Sequence, residues 1–199
     1  MHRIGLTGGI ACGKTTVCRF FQERGAGIIS ADEVAHKIIL PDGEAYFRIV
    51  EEFGRAILNE DGTINRSALG VVVFQSPDLR LQLNGITHPI IIRRTTEMMD
   101  ELERKGRCQV AIVDAALMVE SGSYERFEKL VVVWCEEKFQ IERLRRRSGL
   151  TELEARQRIA AQMPVSEKRK FADFEINTSG TFQETAAQVE NVYRQILSS

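Results

Sequence analysis

The 199-residue chain has little cysteine, little proline and one tryptophan: four, four and one residues respectively. The thiols Cys12, Cys18, Cys108 and Cys135 show no C-x-x-C spacing, which excludes a disulfide framework and argues against zinc. No apolar run approaches the roughly 20 residues that cross a bilayer. The first residues carry no apolar signal core, so the expectation is a cytoplasmic protein with no membrane association. Net charge is −1, which provides no global attraction to nucleic acid, and the aromatics, 7% of the chain, are scattered. No internal repeat and no low-complexity tract is present, and no obligate protein partner is inferred.

What is there is a composition of 43% hydrophobic and 28% charged residues, that of a globular chain able to bury a core. Its most informative stretch is GGIACGKT, the residues Gly8, Gly9, Ile10, Ala11, Cys12, Gly13, Lys14 and Thr15, followed by Thr16. The spacing is G-x-x-x-x-G-K-[ST], with the apolar Ile4 and Leu6 before it and the helically spaced Val17, Phe20 and Phe21 after it. In such a strand, loop and helix, backbone N–H groups converge on phosphate oxygens. Lys14 would reach the β- and γ-phosphates and the Thr15 hydroxyl would hold Mg²⁺, so a nucleotide triphosphate such as ATP is the implied ligand. Cys12, beside Lys14 and the helix start, has surroundings that lower a thiol pKa; it is either a redox-sensitive group or a small loop-filling residue.

Short β-rich runs at 4–7, 27–30, 110–114, 130–134 and 174–176 alternate with helical segments. This predicts an α/β fold, a parallel sheet of about five strands covered on both faces, with ligands at the carboxyl ends of the strands. A helical insertion spans about 41–106. Within it Ser67 is the expected cap for 68–74, Ser76 with Pro77 starts a helix, and His88 with Pro89 starts another. A second insertion covers about 139–170, where Thr151 and Glu154 form a capping box. Residues 136–170 hold ten Lys/Arg against six Asp/Glu, as expected of a lid over an anionic ligand. The last helix, about 182–197, places Phe182, Ala186, Val189, Val192, Tyr193 and Ile196 at helical spacing and reads as packing.

Phosphoryl transfer needs positioning, charge neutralisation and a proton acceptor. Asp32, just past the second strand, is either that acceptor or an N-cap for 33–39. Asp114, closing the third, either supports Mg²⁺ through a water or forms a turn. Arg143 and Arg147 share one helical face while Arg145 and Arg146 point elsewhere; an arginine there either stabilises transferring charge or pairs with Glu136, Glu137 and Glu142. His88, on its own, is more often a helix cap or a core residue than a ligand.

Taken in order, the phosphate loop, SADEVAH, DGTINRSAL, ITHP, ALMVE, QIERLRRR, AAQM and ADFEINTSG resemble the dephospho-CoA kinase family from about residue 3 to residue 190. The resemblance implies a three-layer P-loop kinase core at 1–40, 107–138 and 171–199, a helical CoA-binding domain at 41–106 and a lid at 139–170. It implies Mg²⁺–ATP-dependent phosphorylation of the ribose 3′-hydroxyl of dephospho-CoA. Asp32 becomes the base, with Lys14 and Arg143 catalytic and Arg147 assisting. His88, Leu117 and Glu120 line the acceptor side, and Asn177 to Gly180 lie against adenine. Relative to the usual loop GGIGSGKS, Ala11, Cys12 and Thr15 are substitutions. Ser30, His36, Ala116 and Thr178 also depart from the usual residues. The rival readings are another small-molecule or nucleoside monophosphate kinase and a regulatory NTPase; no N-K-x-D guanine motif supports the latter.

Overall fold

The structure, a computed structural model, describes residues 1–198. Its elements in chain order are β1 (His2–Gly8), α1 (Lys14–Glu23), β2 (Gly27–Ser30), α2 (Ala31–Lys37), α3 (Tyr46–Phe53), α4 (Arg66–Gln75), α5 (Pro77–Arg104), β3 (Val110–Asp114), β4 (Lys129–Trp134), α6 (Glu137–Ser148), α7 (Glu152–Ala160), α8 (Val165–Arg169), β5 (Phe174–Asn177) and α9 (Phe182–Leu197). All five strands fall where the β-rich runs of the sequence place them.

The strands form one parallel sheet in the order β2-β3-β1-β4-β5. β1 lies at its centre, so its residues Ile4 and Leu6 are fully buried, as a parallel strand covered on both faces requires. On one face these residues join Val17, Cys18, Phe20 and Phe21 of α1 and Val189, Val192 and Ile196 of α9 in a single apolar cluster. Leu6 pairs in register with Asp114 and Ser30 pairs with Asp114 from the other side, so the phosphate loop and Asp114 leave the sheet at the same edge. A smaller cluster, Ile141, Leu144 and Ala155 of α6 and α7, packs against Ile10 and Ala11 of the loop itself.

The chain divides into two compact units, 1–30 with 99–199 and 31–98. The second has its own core of Val34, Ile38, Ala45, Ile49, Ile57, Ile64, Leu69 and Ile86. Glu44 bridges Arg93 and Arg94 within it.

Several local expectations are corrected. His88 and Pro89 do not start a helix: both lie inside the 28-residue α5. An internal proline costs about 3 kcal/mol; here burial of Ile86 and partial burial of Ile90 and Ile91 on the same helix outweigh it. The cap of α4 is Asn65, whose side chain accepts from the Ala68 N–H at 3.0 Å, rather than Ser67, which is helical. Asp32 is the second residue of α2, within its first turn and not before it, so the capping reading gives way to a carboxylate placed where the helix dipole favours it. Phe182, expected to pack, is 68% exposed. The capping boxes at Thr151–Glu154 and Thr181–Glu184 are both formed. Among the described residues, no helix is long and apolar enough to cross a membrane.

Candidate active site

The turn after β1 is shaped by two glycines. A Cβ at Gly8 would stand 2.1 Å from the Val133 carbonyl oxygen, so only a bare backbone lets the loop leave the sheet beside β4. Gly13 caps α1 in the left-handed region at φ +83°. Ala11 is also left-handed, at φ 58°, and among the described residues no other non-glycine has positive φ. That conformation costs an L-residue roughly 1–2 kcal/mol; the Ala11 methyl offsets part of it by packing on the α6–α7 cluster. The first α1 amides to find a helical acceptor are those of Thr16 and Val17, both bonded to the Gly13 carbonyl. Among the described residues the Gly13, Lys14 and Thr15 amides have no protein acceptor, which leaves N–H groups aimed at an anion with the helix dipole behind them.

Polar side chains hold the loop in this shape. Gln162 Oε1 accepts from the Ile10 N–H at 3.0 Å, and Gln140 Nε2 donates to the Ile10 carbonyl at 2.8 Å. The Thr178 hydroxyl donates to the Cys12 carbonyl at 2.7 Å. Arg143 Nη1 donates to the Ala11 carbonyl at 3.2 Å and to the Thr178 hydroxyl at 3.1 Å, while its Nη2 donates to the Thr178 carbonyl at 2.6 Å. Arg143 thus belongs to the wall of the site, with its Nε–H and one Nη2 hydrogen left over. Gln140 and Gln162 lie inside QIERLRRR and AAQM, but a sequence does not disclose that a glutamine folds back on a loop more than a hundred residues away.

These residues border a cavity of about 880 Å³ lined by Gly9 and 11–16 of the loop, by Phe139, Glu142, Arg143, Arg146 and Arg147 of α6, and by 178–183 with Thr185. Arg146 therefore faces the cavity together with Arg143 and Arg147, against the expectation that it points elsewhere: a spacing of three, like one of four, keeps a side chain on the same face. Lys14 and Thr15 both line it. Gly180 lines it too, whereas Asn177 braces the turn from behind: its Oδ1 accepts from Ser179 N–H and its backbone exchanges hydrogen bonds with Gln188. Phe182, exposed on the rim, is a lining residue that its helical spacing concealed.

Cys12 has no solvent exposure, and its sulfur lies 3.6 Å from that of Cys135. The hydrogen bond to Cys135 and burial push its thiol pKa up, which outweighs the Lys14 charge and reverses the expected lowering. Leu117, half exposed, and Glu120 follow β3 on the segment after Asp114. The Glu120 carboxylate is 2.8 Å from Lys168 Nζ. Asp32 and His88 belong to the other unit. Asp32 is exposed and, among the described residues, its carboxylate makes no hydrogen bond or ion pair; His88 is half-buried in α5.

The Thr15 hydroxyl lines the cavity and is a hard oxygen donor of the kind Mg²⁺ takes beside substrate phosphates, whereas Asp114, at the end of β3, is not among the cavity's lining residues. The site therefore fits that ion by donor chemistry.

Comparison with known proteins agrees with this geometry. The family model for dephospho-CoA kinase matches residues 2–184. A dephospho-CoA kinase of Geobacillus kaustophilus is 42% identical over 96% of this chain and 95% of its own length. That of Geobacter metallireducens is 43% identical over the same shares. Among solved structures, a Thermus thermophilus protein, TT1252, superimposes with TM-score 0.85 at 26% identity, covering 98% of this chain and 97% of its own. Dephospho-CoA kinase from Campylobacter jejuni gives TM-score 0.69 at 29% identity, covering 98% and 96%. The chain belongs to the dephospho-CoA kinase family.

Proposed function

We propose that this chain transfers the γ-phosphoryl group of ATP to the ribose 3′-hydroxyl of dephospho-CoA, giving coenzyme A. Family membership supports the substrate pair. The observation that carries the chemistry is the open amide cradle of the phosphate loop beside Lys14, with three arginines of α6 on the same cavity.

In this reading the Gly13, Lys14 and Thr15 amides bind the β-phosphate and the Lys14 ammonium bridges the β- and γ-phosphates. The Thr15 hydroxyl, with Asp114 in support, would hold Mg²⁺, which would supply neutralisation of the phosphate charge. Arg143, fixed by Thr178 and the Ala11 carbonyl, presents its remaining hydrogens to the equatorial oxygens as charge spreads over them, and Arg147 assists. Asp32 accepts the proton of the 3′-hydroxyl while that oxygen bonds to the γ-phosphorus and ADP leaves. An exposed carboxylate with no protein partner among the described residues is free to do so.

His88, Leu117 and Glu120 contact the acceptor, Asn177 and Gly180 lie on the adenine side, 41–106 forms the acceptor domain and 139–170 the lid. The protein works in the cytoplasm, and neither nucleic acid, nor membrane, nor an obligate protein partner takes part. Incubation with ATP, Mg²⁺ and dephospho-CoA, with product analysis for the 3′-phosphate, tests the reading. Faster phosphorylation of nucleoside monophosphates, or hydrolysis of nucleotide with no acceptor product, overturns it.

A further inference from the structure

Lys168, in the five-residue α8, is fully buried. A buried ammonium forgoes its hydration, and an apolar side chain of similar volume would often pack there at no loss of stability. The charge is spent on two contacts. Its Nζ lies 2.8 Å from Glu120 Oε1 and donates to the Ala116 carbonyl at 2.8 Å. The Thr7 hydroxyl, from the β1 residue immediately before Gly8, donates to that same carbonyl at 3.2 Å. The Met163 N–H reaches Glu120 Oε1 at 3.4 Å. One cation therefore grips both ends of 116–120 and, through the shared Ala116 carbonyl, registers that segment against the strand that feeds the phosphate loop.

With Glu120 Oε1 doubly engaged, Oε2 makes no hydrogen bond among the described residues. It keeps its acceptor capacity for an N–H or O–H donor, and Leu117, three residues earlier on the same segment, is 52% exposed.

We propose that Lys168 is a positioning residue for the acceptor: it sets the 116–120 segment so that Leu117 and Glu120 Oε2 meet the phosphoryl acceptor in register with the phosphate loop. This rests on the reading of that segment as the acceptor side. Removing the ammonium leaves the Glu120 carboxylate without its counter-charge and the Ala116 carbonyl with one donor in place of two, so the segment relaxes while the nucleotide cradle, held by Gln140, Gln162 and Thr178, stays formed.

The test is steady-state kinetics of Lys168→Met and Lys168→Arg with ATP and dephospho-CoA varied separately, beside thermal melts. Lys168→Met is expected to raise the KM for dephospho-CoA about tenfold or more, the scale of one lost polar anchor, with the ATP KM within about twofold of wild type. Lys168→Arg, which restores a donor and the charge, is expected to recover most of that rise. A folded Lys168→Met with an unchanged dephospho-CoA KM overturns the proposal, as does an equal rise in both KM values that arginine does not rescue. Should Lys168→Met fail to fold, Lys168→Gln replaces it against Lys168→Arg, and equal dephospho-CoA KM values for those two overturn the proposal. Wild-type protein inactive on dephospho-CoA overturns the functional reading and this inference together; active wild type with an indifferent variant overturns this inference alone.

Discussion

Arg143 and Thr178 are joined twice, through Nη1 to the hydroxyl at 3.1 Å and through Nη2 to the carbonyl at 2.6 Å, while the same hydroxyl donates to the Cys12 carbonyl of the phosphate loop. A residue from the helix after β4 and one from the turn after β5 thereby define the wall of a cavity whose floor follows β1. Arg143→Ala is expected to lower kcat about a hundredfold or more, since a charge-stabilising arginine acts mainly in the transition state. The ATP KM should rise by a smaller factor through loosening of the loop, and the dephospho-CoA KM should change least. Separate titration of the two substrates checks this; an effect confined to the acceptor KM contradicts it.

Asp32 stands in the first turn of α2 with no competing protein partner among the described residues. Asp32→Asn keeps the size and removes the proton acceptor. Turnover is expected to fall about a hundredfold or more with ATP affinity nearly intact. Fluorescent-nucleotide binding next to a coupled turnover assay separates the two, and retained turnover rules out a base at this position.

Cys12 and Cys18 are both buried, and burial pushes Cys18 up to about 12. Both thiols stay protonated at neutral pH, and a thiol is a far weaker nucleophile than a thiolate. Iodoacetamide at pH 8 is expected to modify half-buried Cys108 first and to reach Cys12 and Cys18 only after unfolding, read by peptide mass mapping. Cys12→Ser should leave peroxide sensitivity unchanged. Rapid native labelling of Cys12 would restore the reading in which its neighbours lower its pKa.

The two capping boxes give the fold an acid-sensitive component. Hydrogen bonds from the Thr151 side chain and backbone hold Glu154 below its ordinary 4.5, and the Thr181 backbone and side chain do the same for Glu184. A carboxyl whose folded pKa is depressed stabilises fully above its unfolded value, and that contribution vanishes as pH falls through the lower folded value. The paired Glu154→Gln and Glu184→Gln variant is expected to melt lower than wild type at pH 7 yet lose less of its melting temperature between pH 6 and about 3, because its caps no longer titrate. Parallel melting curves across that range check it; equal losses would assign the acid sensitivity elsewhere.

The strands, the phosphate loop and the Thr151–Glu154 capping box were legible in the chain itself because each is written in adjacent residues: β-branched apolar runs, glycines at required positions, a threonine three residues before a glutamate; the second box, Thr181–Glu184, has the same spacing but was read only from the structure. The same locality failed at Pro89, where helix-breaking propensity is real but tertiary burial of Ile86 outweighs it. It failed at Phe182, whose spacing suited a packed face but whose place at the head of α9 leaves it on the cavity rim. What tertiary structure alone decided is the set of long-range anchors: Gln140 and Gln162 on Ile10, Thr178 on Cys12, Lys168 on Glu120 and Ala116. A hydrogen bond depends on where two groups meet in space, and partners separated by 48 to 166 residues leave no spacing to read.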